Sequence, residues 1–103
     1  MLLAFSVAPS GGPSANDDAS VHEAVAAAVA VVRASGLPNH TDSMFTTLEG
    51  DWNEVFFVVK AATDAVAAFG TRVSLVIKAD IRPGHTGELT GKLDRLENAL
   101  QKR

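Results

Sequence analysis

What most constrains this chain is an alternation of period: two stretches with a helical repeat, each closed by glycine, lie between stretches that alternate like strands. Val21, Val25, Ala28 and Val32 recur at i, i+4, i+7 and i+11. Ser20 and Glu23 have capping-box spacing at the head of that stripe, and Ser35-Gly36-Leu37-Pro38 closes it. Glycine takes the left-handed turn that ends a helix, and proline cannot continue one. Asp51 and Glu54 repeat the capping spacing, and Val55, Val59, Ala62, Val66 and Phe69 form a second stripe that stops at Gly70.

The strand-like stretches fill the gaps. Leu2 to Ala8 puts Leu3, Phe5 and Val7 on one face and the small residues Ala4, Ser6 and Ala8 on the other. Asn39 to Gly50 suits two short strands with a tight bend near Asp42-Ser43. Arg72 to Ile81 sets Val73, Leu75, Ile77 and Ala79 against Arg72, Ser74, Lys78 and Asp80, a half-buried strand with Val76 alone apolar on its polar side. Ser10 to Asp18 collects turn-forming residues and reads as a surface loop. Strand, helix, strand, strand, helix, strand is the split βαβ order of the ferredoxin-like α+β fold, and 1–103 is expected to form one domain.

A tail follows. After the Pro83-Gly84 turn, Thr86 to Lys102 carries Leu89, Leu93, Leu96 and Leu100 on a narrow stripe and predicts a third helix. Right-handed crossovers put the first two helices on one sheet face, which leaves the other to be covered. Residues 83–103 are expected to cover it between copies, in a homodimer or homotetramer. The alternative is that the last helix docks on its own sheet.

Several classes of chemistry drop out. Cysteine is absent, which removes disulfide frameworks, thiolate nucleophiles and cysteine-based metal sites. A formal net charge of −3 argues against nucleic acid, whose phosphates need clustered Lys and Arg. The apolar opening has no basic n-region and is interrupted by Pro9 and Gly11-Gly12, so it reads as a strand and not a secretory signal. No apolar run approaches the roughly 18 residues of a membrane span, so a cytoplasmic protein with no membrane partner is expected. His22, His40 and His85 lack the spacing that sets two ligands on one helical face, and Ser10-Gly11-Gly12-Pro13 lacks a phosphate-loop pattern. Ser6, Ser10 and Ser74 have no histidine neighbour in sequence. Neither a cofactor, a metal nor a catalytic set is expected.

The informative stretch runs from Asp42 to Gly50, where hydroxyls, two acids and an aromatic fall on adjacent strands like the wall of a pocket. Ser6 and Ser74 would offer further hydroxyls across the sheet. The same pattern has a plain structural reading, because threonine is a good strand former and Asp42 or Glu49 can begin turns or cap helices.

In order and spacing, Ser6-Val7-x-Pro9, Ser20-Val21, Ser35-Gly36-Leu37, Met44-x-Thr46, Glu49-Gly50, Arg72-Val73-Ser74, Ile77-Lys78-x-Asp80 and Arg82 resemble the YkoF-like thiamine-binding protein family across nearly the whole chain. The resemblance implies a ferredoxin-like fold with an added helix, assembly into dimers or tetramers, and binding of thiamine or its hydroxymethylpyrimidine part without turnover. On matching positions it implies Ser6, Thr46, Glu49 and Ser74 as ligand neighbours. Asp42, Phe45 and Thr47 join them from pattern, since they flank Thr46 on the same hairpin. Bulky Phe45, where many relatives carry Gly, and the long Ser10–Asp18 loop depart from the family pattern and bear on pocket width. A thiazolium cation would favour a carboxylate such as Glu49 or Asp42 and an aromatic face such as Phe45 or Trp52, while an aminopyrimidine would exchange hydrogen bonds with hydroxyls. Two other readings share the fold. An enzyme of the dimeric α+β barrel kind would need a strongly perturbed group, for which His40 and Asp80 are the candidates; an interaction module would use the polar sheet face only as a subunit contact.

Overall fold

The computed structural model describes residues 1–11 and 18–103, the side chains of 18–20 excepted. Its elements are β1 (Leu2–Ser10), α1 (Asp18–Ala34), β2 (Asn39–Thr41), β3 (Thr46–Glu49), α2 (Trp52–Ala67), β4 (Arg72–Asp80) and α3 (Glu88–Gln101). The strands form one antiparallel sheet in the order β2-β3-β1-β4, the ferredoxin-like arrangement expected from the element order. Most of the Ser10–Asp18 stretch expected as a loop lies outside the described residues.

Register decides which side chains meet. Leu3 pairs with Leu48 and Ala79, and Phe5 with Thr46 and Ile77, so these residues share the face under α1 and α2. Leu2, Ala4, Ser6 and Ala8 point the other way, beside Glu49 and Thr47 on β3 and Asp80, Lys78, Val76 and Ser74 on β4. Leu3, Leu48, Val32, Val55 and Val66 are fully buried between sheet and helices, each removing apolar surface worth about 1.5–3 kcal/mol.

Local chemistry sets the boundaries. Glu54 N–H donates to Asp51 Oδ1 at 2.9 Å and Asp51 N–H donates to Glu54 Oε1 at 3.1 Å, the reciprocal cap read from the sequence. α1 stops where Gly36 turns to φ +77° and the Ser35 hydroxyl donates to the Val32 carbonyl at 2.6 Å. Between β2 and β3, Asp42 Oδ1 accepts from Met44 and Phe45 N–H at 2.8 and 2.9 Å, which fixes the tight bend.

Three expectations need correction. α1 begins at Asp18, so Ser20 lies inside the helix and not ahead of it. Its buried stripe is Ala24, Ala28 and Val32, whereas Val25 is 44% exposed; alanine and valine occur all round this helix, and period alone picked a neighbouring stripe. β4 is not half-buried either. Paired with β1 alone, it forms the sheet edge, and Leu75 and Ile77 are 39% and 38% exposed. α3 leaves the sheet after its first turns: Leu89 is half-buried, but Leu93, Leu96 and Leu100 are exposed. The chain is accordingly long, 53 × 31 × 20 Å, with a radius of gyration of 15.5 Å, against about 13 Å for a compact chain of this length.

Candidate functional site

The open face of the sheet is organised by the way α3 is attached. Gly87, with φ 68°, stands at the N-cap of α3 and brings no side chain to cap it. Glu49, at the end of β3, takes that role: Oε2 accepts from Glu88 N–H at 2.9 Å and Oε1 from Leu89 N–H at 3.2 Å. A buried carboxylate thus meets the positive end of the helix dipole. Lys92 forms an ion pair with Asp80 on β4 that holds the Asp80 carboxyl below its ordinary range. Arg95 Nη2 lies 2.6 Å from Glu88 Oε2 and likewise lowers the Glu88 pKa, while His85 Nδ1 stands 3.7 Å from Glu88 Oε1.

Of the seven residues singled out from the sequence, Ser6, Thr47, Glu49 and Ser74 share the open face. Ser6 pairs with Val76 and is half-buried; Ser74 pairs with Ala8 and is exposed; Thr47 pairs with Ala4 and His40. Thr46 points to the helix side, buried, its hydroxyl 3.1 Å from that of Thr41. Asp42 and half-buried Phe45 belong to the β2–β3 bend, and Asp42 has its pKa lowered by the amides of Phe45 and Met44. Along β1, Ser6 lies four residues from Leu2, the partner of Glu49. At the rise of an extended strand that is about 13 Å, so the serine pair and Glu49 mark opposite ends of the face.

Two cavities adjoin the Glu49 end. One, of about 700 Å³, lies between the first turn of α2 and the 81–87 segment, bordered by Glu49, Asp51, Trp52, Glu54, Arg82 and His85 among others. The other, of about 380 Å³, lies under α3 and is lined by Leu2, His40, Thr47, Leu89 and Leu93 with their neighbours. Ser6 and Ser74 border neither. Trp52 is a site residue that the sequence list left out. Its signal was an aromatic in the first turn of a capped helix but off the apolar stripe, and it is 54% exposed and stacked on Phe56. Among the described residues, no group of three or more His, Cys, Asp or Glu side chains is placed to hold a metal, and no helix is long and apolar enough to cross a membrane.

The family profile for thiamine-binding proteins matches residues 3–97, from β1 through most of α3. The chain belongs to the thiamine-binding protein family. A UPF0045 protein of Mycobacterium bovis is 52% identical over 101 residues, covering 97% of this chain and 94% of its own. A UPF0045 protein of Synechocystis is 34% identical over 83 residues, 80% of this chain and 69% of its own. Among solved structures, a Bacillus cereus domain of unknown function, DUF77, superposes with a TM-score of 0.76 at 32% identity, covering 89% of this chain and 85% of that one. The family match includes both ends of the open face, the serine pair and Glu49.

Proposed function

We propose that this member of the thiamine-binding family binds thiamine or its hydroxymethylpyrimidine part in the cytoplasm without turning it over, and works as a homodimer or homotetramer. The observation that carries the reading is the floor of the open face. Ala4, Ser6 and Ala8 are small, Thr47 and Ser74 flank them with hydroxyls, and the ring of an aminopyrimidine could lie there and exchange hydrogen bonds. Val76 on that floor is 53% exposed, and Leu93, Leu96 and Leu100 are bare on α3, apolar surface that a second copy would cover. Binding without chemistry is supported by the carboxylates: Asp42, Asp80 and Glu88 are each held ionised by a hydrogen-bonding partner of their own, the ordinary state of structural acids.

The test is calorimetry on protein that has been unfolded and refolded to strip any carried ligand. Saturable heat with thiamine or the pyrimidine alcohol, at about one ligand per chain or per dimer, is expected, and the ligand should be recovered chemically unchanged by mass spectrometry. Ser6→Ala or Ser74→Ala should each weaken binding by about 1–3 kcal/mol, because a ligand donor or acceptor is then left unpaired. No heat from either ligand, with the assembly intact by light scattering, would sink this reading and leave the interaction module in its place.

A further inference from the structure

The cavity of about 700 Å³ beside α2 has an aromatic wall of unusual definition. Phe56 stacks on the Trp52 indole with ring centroids 5.2 Å apart and planes 9° from parallel. That contact occupies one face of the indole and fixes its tilt, while Trp52, 54% exposed, still borders the cavity. Around it stand the carboxylates of Glu49, Asp51 and Glu54, against the guanidinium of Arg82 and the amino group of Met1. The acids are held in position: Asp51 and Glu54 by their reciprocal backbone bonds, Glu49 by the amides of α3. An indole face attracts a flat cation through its quadrupole, and fixed acids add to that attraction without being reorganised when the ligand arrives.

We infer that this cavity is a seat for flat, positively charged heteroaromatic rings, which lie against the free face of Trp52. It goes beyond the open-face reading and is separate from it. Ser6 is about 13 Å along the strand from the Glu49 end, and neither Ser6 nor Ser74 borders the cavity. The seat is complete in one copy of the chain. Thiamine, through its thiazolium, belongs to the class it takes; the neutral pyrimidine alcohol does not.

Trp52 is the one tryptophan in the sequence, so its fluorescence reports on this cavity alone. The refolded protein is titrated with thiamine and with 1-methylnicotinamide, a small flat cation, and in parallel with the neutral rings nicotinamide and hydroxymethylpyrimidine. Saturable quenching by both cations is expected, at least about tenfold tighter than by the neutral rings, a ratio within the usual reach of cation–π attraction. It should survive Ser6→Ala and Ser74→Ala. By calorimetry, Trp52→Leu should weaken 1-methylnicotinamide about tenfold, and Glu54→Gln, which keeps an acceptor for the Asp51 amide, should weaken it several-fold; circular dichroism checks that both variants fold. Equal quenching by neutral rings, no saturable quenching by either cation, or quenching lost in the serine variants would overturn the inference. Thiamine heat that persists in Trp52→Leu without quenching in the parent overturns this seat and leaves the open-face reading standing. Quenching by 1-methylnicotinamide with no effect of the serine substitutions on thiamine does the reverse.

Discussion

Glu49 has two calls on it, a ligand neighbour by resemblance and the cap of α3 by geometry, and the second is measurable without any ligand. Its carboxylate accepts from Glu88 and Leu89 N–H, and removing it strands two amides at a helix end that Gly87 cannot cap. Glu49→Ala should therefore cost about 1–3 kcal/mol, seen as faster hydrogen exchange of α3 amides than of α2 amides. Any loss of thiamine binding in that variant has to be weighed against the loosened helix. Glu88 gives a pH test at the same place. Arg95, with Arg82 and His85 nearby, lowers the folded-state pKa of Glu88, so as pH falls the unfolded chain takes up the proton first. The stabilisation is present above the ordinary carboxylate range and is lost as pH drops below about 4.3 towards the depressed value. In Arg95→Leu, the fall of the urea midpoint with acid should be shallower than in the parent chain.

At the scale of elements, the joint between α2 and the end of β1 is a close approach of backbones. A Cβ on Gly70 would meet the Ser10 carbonyl oxygen at 2.7 Å and the Ser10 nitrogen at 3.1 Å, neither of which can swing aside. Gly70→Ala should cost about 1–3 kcal/mol, read as a lower urea midpoint at unchanged slope. The sequence marks Gly70 as a helix stop, and the structure adds the neighbour that makes it obligatory. Both helix caps and the β2–β3 bend were legible because their partners lie within three residues. The buried stripe of α1 was not, because a helix built of alanine and valine offers nearly equivalent faces, and only packing against β1 and α2 selects Ala24 over Val25.

The whole molecule is longer than its residue count requires, and the excess lies in what a single copy leaves open: the β4 edge, Val76 on the sheet floor, and the leucines of α3. If a second copy covers them, Leu93→Glu with Leu96→Glu should convert a larger species to a monomer by size exclusion with multi-angle scattering. The urea midpoint should change little when extrapolated to low protein concentration, since both residues are exposed in the single chain. A monomer in the parent protein at micromolar concentration would remove the assembly from the proposed function without touching the Trp52 cavity.

The sequence by itself determined the order of elements, the two capped boundaries, the inward face of β1 and the family, because periodicity, turn chemistry and motif spacing are all written over a few neighbouring residues or along the chain in order. It also placed Ser6 and Ser74 on one sheet face, since parity along a strand settles which way a side chain points. Only the tertiary structure decided that Thr46 faces the helices, that Glu49 crosses to α3, and that Trp52 borders a cavity with the 81–87 segment. Those are contacts between residues about 30 to 40 positions apart, as between Glu49 and Glu88. Their existence depends on where an edge strand ends and how a helix leaves it, which local pattern does not encode.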